Sequence, residues 1–204
     1  MKTMPIRAVL FDLDNVLIDI SPIYTEVSEQ YFGSLSCLGR ARYLQLVDGQ
    51  PFAEWVHRLA KEAGMVVTPQ LLVEIQDAIE ERLPSVCRPI PRLVRMVRSL
   101  VGDELLLSVV TNNTTPVTLL ALSYVDLRAN FSAFITGADG TPKPAPDLWL
   151  LAAQVLGAPP TACLAIDNDP VCLEAVTSYG MRSLCTSIHN LCYEQVRAAL
   201  EKEI

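Results

Sequence analysis

A chain of 204 residues, half of them apolar and 19% charged with a net charge of −7, is long enough to bury a core and is not intrinsically disordered. Its acidic balance argues against a nucleic-acid backbone or an anionic membrane as the main partner, and no window reaches the roughly 18 apolar residues that span a bilayer. Residues 1–7 are too short for a secretory leader, and Asp12 and Asp14 break the apolar stretch that follows, so a cytoplasmic protein is expected.

In chain order, Val9, Leu10 and Phe11 read as a strand buried on both faces of a parallel sheet, ending in Asp12-Leu13-Asp14. Residues 17–22 should leave the sheet. From residue 23 to about 87 the pattern is helical, without a strand signal. Residues 23–32 and 37–47 are helices separated by Gly33 and Gly39. Phe52, Trp55, Val56, Leu59, Ala60 and Ala63 form an amphipathic stripe ended by Gly64. Leu71, Leu72, Ile75, Ala78, Ile79 and Leu83 form another, started after Thr68-Pro69 and stopped at Pro84. These stripes bury against one another as a bundle.

Residues 89–101 read as a helix with Ile90, Leu93, Val94, Val97 and Val101 on one face. A buried strand at 105–110 ends in Thr111-Asn112-Asn113 and precedes a helix over 116–124. A short strand at 133–136 leads into a loop over 137–146. Leu148, Leu151, Ala152, Val155 and Leu156 mark the next helix, closed by Gly157. A strand at 162–166 ends in Asp167, and Asp169-Pro170 starts a helix stopped by Gly180. A strand at 183–185 and a helix at 191–201 complete the chain. Such alternation requires right-handed crossovers and a parallel sheet, which binds ligands beyond the carboxyl ends of its strands.

The polar residues collect at those ends. Asp12 and Asp14 project to one side of an extended chain, and two acids there need a cation or protons; Mg2+ with a phosphoryl group suits them, the alternative being a solvated, helix-capping pair. Asp12 is the candidate nucleophile, forming an aspartyl-phosphate, and Asp14 the acid that protonates the leaving alcohol and then activates water. Thr111 and Asn112 could hold phosphoryl oxygens, or simply open a turn. Lys143, between Pro142 and Pro144, is a positioned ammonium that screens Asp12 from the phosphate dianion. Six cysteines (Cys37, Cys87, Cys163, Cys172, Cys185 and Cys192) form no CxxC pair and read as reduced thiols, and His57 and His189 as ordinary histidines.

Asp12-Leu13-Asp14, Thr111-Asn112, Lys143-Pro144 and Asp167-Asn168-Asp169, in that order, resemble the four motifs of the haloacid dehalogenase superfamily, in particular its phosphatases with a small helical cap. The resemblance implies an α/β, doubly wound, Rossmann-like core over residues 1–17 and 88–204 with an all-helical cap over 18–87. It also implies a Mg2+ site built from Asp12, the Asp14 backbone carbonyl, Asp167 and Asn168. Asn168 departs from the pattern, since such members carry two adjacent acids here, and an amide in place of a carboxylate should weaken Mg2+ binding unless Asp169 swings in. Asp48-Gly49-Gln50-Pro51 occupies the place of a substrate-selecting cap loop, so Asp48 and Gln50 could hydrogen-bond the leaving group, the plain alternative being a helix-starting turn. The expected activity is Mg2+-dependent hydrolysis of a small phosphorylated metabolite; a sugar phosphomutase and a non-catalytic binding protein are the rivals. The apolar fraction allows a monomer or a homodimer.

Overall fold

The computed structural model describes residues 5–33, 40–47 and 49–201. Strand β1 (Ala8–Phe11) lies at the centre of a five-stranded parallel sheet of order β3-β2-β1-β4-β5, with β2 Leu106–Val110, β3 Ala133–Ile135, β4 Cys163–Asp167 and β5 Arg182–Cys185. Phe11 stands beside Val109 on one side and Ile166 on the other. The strand order reverses between β1 and β4, and that crevice is where a doubly wound sheet accepts its ligand.

The period of two decides what each face buries. Val9, Phe11, Leu107, Val109, Leu164 and Ile166 pack with helices α5 (Pro91–Gly102), α6 (Thr115–Tyr124) and α9 (Tyr193–Glu201). Ala8, Leu10, Val110, Cys163 and Ala165 pack on the other face with α7 (Asp147–Val155) and α8 (Pro170–Thr177). Both faces of the sheet are therefore covered, as the continuous apolar runs of β1, β2 and β4 require.

Between β1 and α5 the chain forms α1 (Ser21–Phe32), α2 (Arg40–Val47), α3 (Phe52–Glu62) and α4 (Pro69–Val86), with no strand among the described residues. The apolar sides of α1, α3 and α4 join the same buried cluster as Val9 and Phe11. Thr68 caps α4, its hydroxyl accepting from the Leu71 N–H at 3.1 Å. Residues 34–39, which include the first three positions of the helix expected over 37–47, Cys37 and Gly39 among them, lie outside the described residues.

Three expectations change. Pro84 does not stop α4, which continues to Val86 and closes with the Cys87 N–H on the Leu83 carbonyl at 2.9 Å. A proline near a C-terminus removes one donor only, and its fixed φ fits a last helical turn. The buried face of α5 runs through Leu93, Val94, Val97 and Leu100, leaving Val101 42% exposed. In α7 the buried residues are Leu148, Trp149, Ala152 and Ala153, and Val155 faces solvent. An apolar residue beside a stripe competes for burial, and in α7 the larger Trp149 wins.

Candidate active site

The chain leaves β1 with Asp12 still in register, its N–H donating to the Ile166 carbonyl at 2.8 Å. A tight turn follows. Leu17 and Ile18 donate back to Leu13, and Asn15 donates to Ile18 at 2.7 Å. Asn15 takes a left-handed φ of 58°, which asparagine tolerates better than most residues. The turn buries Leu13, Val16, Leu17 and Ile18 and leaves Asp12 and Asp14 lining a cavity of about 600 Å³.

Gly49, Gln50, Thr111, Asn112, Lys143, Asp167 and Asn168 line the same cavity. Asp48 lies outside the described residues. Helices α1 to α3 supply the opposite wall, with Tyr24, Trp55 and Arg58, the last paired with Glu54. A cavity this size holds a small metabolite.

The Lys143 ammonium bridges two carboxylates, reaching Asp12 Oδ1 at 2.5 Å and Asp167 Oδ2 at 2.9 Å. Its side chain is only 7% exposed, and it sits 5.3 Å from the centre of the Trp149 ring. The pairing links the ends of β1 and β4 to the loop after β3. An ammonium has three donors, so one remains for a ligand. Burial disfavours the charge on Lys143, but Asp12 and Asp167 outweigh it and hold the ammonium protonated well above the usual lysine range.

Asp12 shows the opposite balance. Burial pushes its carboxyl up to about 8, the Lys143 ammonium opposes, and the charges of Asp167 and Asp14 add to the rise. Asp12 therefore holds its proton more tightly folded than unfolded. Its contribution to stability is fully present below the ordinary value of 3.8 and is lost as pH rises through about 8. With divalent metal chelated, the melting temperature is expected to fall over that window in the wild type and to fall less in Asp12→Asn. Equal slopes for the two proteins in pH-series melting scans would contradict this balance.

Asp167 uses both oxygens. Oδ2 accepts from Lys143 and Oδ1 from the Asp169 N–H at 2.9 Å. Asp169 lines the cavity as well, and its Oδ1 caps α8 by accepting from the Val171 N–H at 2.9 Å. Thr111 is buried, and its hydroxyl oxygen accepts from the Asn113 N–H at 3.2 Å, leaving its proton to donate.

Asn112 is engaged with the chain itself. Its Oδ1 accepts from the Lys143 N–H at 2.8 Å, and its Nδ2 donates to the carbonyls of Lys143 and Gly49 at 3.0 and 2.7 Å. The side chain expected to hold phosphoryl oxygens here pins the Lys143 loop and the Gly49 turn instead. Gly137 lies against this clip, where a Cβ would come within 2.6 Å of the Asn112 carbonyl oxygen.

Two features had no counterpart in the sequence reading. Asn113, read only as part of a turn, donates from Nδ2 to Asp14 Oδ2 at 2.7 Å and accepts from the Tyr24 hydroxyl at 2.5 Å. Trp149 underlies Lys143, and the apolar stripe expected for this helix did not include it. Among the described residues no group of three His, Cys, Asp or Glu side chains stands close enough to cage a metal, and no helix is long and apolar enough to cross a membrane. Cys87, Cys163, Cys172, Cys185 and Cys192 are free thiols.

The chain is similar to known proteins over most of its length. The family described as haloacid dehalogenase-like hydrolase matches residues 6–175. A fructose-1-phosphate phosphatase of Escherichia coli (strain K12), YqaB, is 26% identical over 175 residues, covering 84% of this chain and 92% of that protein. CbbY from Rhodobacter sphaeroides, solved in complex with phosphate, superposes with a TM-score of 0.72 at 21% identity, over 89% of this chain and 86% of that one. A β-phosphoglucomutase from Clostridium difficile gives 0.74 at 14% identity, over 96% and 97%. At these identities the two structures establish a shared fold.

Proposed function

The chain belongs to the haloacid dehalogenase-like hydrolases, and from that membership we propose that it hydrolyses the phosphomonoester of a small metabolite through an aspartyl-phosphate on Asp12, with Mg2+. One observation carries the reading: a buried ammonium tied to Asp12 and Asp167, at the carboxyl ends of adjacent strands, under a cavity of metabolite size.

In this proposal Asp12 attacks phosphorus, Asp14 gives its proton to the leaving oxygen, and Asp14 then takes a proton from the water that cleaves the phosphoryl-enzyme. Lys143 and the Thr111 hydroxyl hold phosphoryl oxygens whose charge grows during transfer. The site fits a divalent cation. One ammonium is shared by Asp12 and Asp167 with Asp14 nearby, and burial, helped by the charges of Asp167 and Asp14, pushes Asp12 up to about 8 in spite of Lys143. Without a three-acid cage, the protein offers Asp12, Asp167 and the Asp14 carbonyl, which suits Mg2+, an ion bound through few carboxylates together with substrate oxygens. When bound, the cation supplies the charge that keeps Asp12 a carboxylate beside an incoming phosphate.

Asn168 faces this site as a neutral donor and Asp169 is occupied as a cap. Asn168→Asp is therefore expected to bind Mg2+ about tenfold more tightly, as an added carboxylate oxygen demands. Calorimetric titration of wild type and variant checks it, and equal affinities would remove Asn168 from the metal's surroundings.

We further propose that residues 18–87 act as a cap on a core of residues 1–17 and 88–204, excluding water during turnover, with Gln50 reaching the leaving group. The Escherichia coli relative is named for fructose 1-phosphate, so sugar phosphates head the panel. The deciding experiment is a phosphatase screen with Mg2+, with EDTA and with Asp12→Asn. Metal-dependent release of phosphate, lost in the variant, supports the proposal. Interconversion of sugar phosphates without release would select the mutase, and binding without turnover a non-catalytic protein.

A further inference from the structure

Asn113 lies in the loop after β2, 8% exposed, with both ends of its amide in use. Its Nδ2 donates to Asp14 Oδ2 at 2.7 Å, and its Oδ1 accepts from the Tyr24 hydroxyl at 2.5 Å. Tyr24 comes from α1, and its ring packs 5.7 Å from that of Trp55 on α3. Asp14, Asn113 and Tyr24 thus join the turn after β1, the loop after β2 and the helical insertion.

The direction of these bonds matters. An amide turned by 180° would set Oδ1 against the Asp14 carboxylate, acceptor against acceptor. A phenol prevents that turn, because its O–H donates to Oδ1 and leaves only Nδ2 for Asp14. Burial, with the charge of Asp14 adding, pushes the Tyr24 hydroxyl well above its usual range, so it remains a donor. A donor facing Asp14 Oδ2 in turn keeps the Asp14 proton off that oxygen and fixes the carboxyl plane.

We infer that Asn113 and Tyr24 are positioning residues for Asp14, selecting which of its oxygens carries the proton delivered to the leaving group. The inference rests on the reading of Asp14 as the acid–base group. In the step concerned, an Asp12 oxygen forms its bond to phosphorus as the P–O bond to the leaving group breaks, the Asp14 O–H proton moves to the departing oxygen, and Asp14 is left as the carboxylate that Asn113 stabilises through Nδ2.

The test uses aryl phosphates from p-nitrophenyl to phenyl phosphate, with kcat/KM reporting transfer to Asp12. A good leaving group needs little protonation and a poor one needs much. In Asn113→Ala, kcat/KM is expected to fall about 10- to 100-fold for phenyl phosphate and only a few-fold for p-nitrophenyl phosphate. Tyr24→Phe should show a smaller loss of the same slope. Because Tyr24 acts through Asn113, the double variant should be no worse than Asn113→Ala; additive losses would instead mark Tyr24 as a substrate contact and overturn its part. Asn113→Asp, isosteric but placing an acceptor against Asp14, should lose most, with melting scans reporting that each variant is folded. If Asp14→Asn steepens the leaving-group dependence and Asn113→Ala does not, this inference falls and the acid–base reading stands. If Asp14→Asn leaves the dependence unchanged, or the wild type has no turnover, both fall.

Discussion

Asp12→Asn is expected to lower kcat on p-nitrophenyl phosphate by about 10⁴-fold or more while the protein stays folded. The two side chains have the same shape, and the backbone bond from residue 12 to the Ile166 carbonyl does not involve the side chain. What is lost, on the proposed mechanism, is the oxygen lone pair that attacks phosphorus, for which an amide is no substitute. Lys143 keeps its contact with Asp167 at 2.9 Å, so the ammonium stays where it is. Removing one of three crowded carboxylates also lightens an electrostatic load, because Asp12 is pushed up to about 8 by burial and by its acidic neighbours. A variant that has lost turnover but melts no lower than wild type in chelator at alkaline pH fits this account. Turnover within tenfold of wild type would move the nucleophile elsewhere, and an equally inactive but unfolded variant would show Asp12 to be a structural carboxylate.

How much of this was open to the sequence follows from the range of each signal. The placement of Asp12 and Asp14 was legible because its signal is local: an apolar run, a period of two and two acids at its end. Lys143 was legible through its flanking prolines. A parallel sheet follows from alternating elements with right-handed crossovers, whereas the order β3-β2-β1-β4-β5 is given by the structure. Asn113 was illegible for the converse reason. An Asn-Asn pair after a strand is a turn by local rules, and its partners Asp14 and Tyr24 lie 99 and 89 positions away. Asn112 was given a ligand-facing role, whereas its amide is spent on the backbones of Lys143 and Gly49, 31 and 63 positions distant. The stripe of α7 missed Trp149 because periodicity ranks residues by spacing, and spacing carries no information about an ammonium 5.3 Å from a ring centre. Sequence patterns thus placed the groups at strand ends, while side-chain bonds between distant loops had to be seen.

Lys143→Met separates stability from catalysis. The substitution keeps an unbranched apolar stem over Trp149 but removes the charge that Asp12 and Asp167 share. Two carboxylates, 8% and 2% exposed, then face one another without a counter-charge. Breaking a buried pair on one side costs about 3–5 kcal/mol, which for a chain of this size is a drop of roughly 6–20 °C in melting temperature. The loss depends on pH in a definite sense. Without the ammonium Asp12 holds its proton still more tightly in the folded state, so the deficit is small in acid and grows as pH rises through its folded value. Asp12→Asn added to Lys143→Met should therefore recover much of the stability, because one of the stranded charges is gone. It should recover none of the turnover, since the proposed nucleophile and the ammonium proposed to face the phosphate are then both missing. Melting scans of the two single variants and the double, in chelator at acid and alkaline pH, read this directly. Additive destabilisation would mean that Lys143 supports the fold as the counter-charge of Asp167 or through its ammonium–ring contact with Trp149, not as the counter-charge of Asp12.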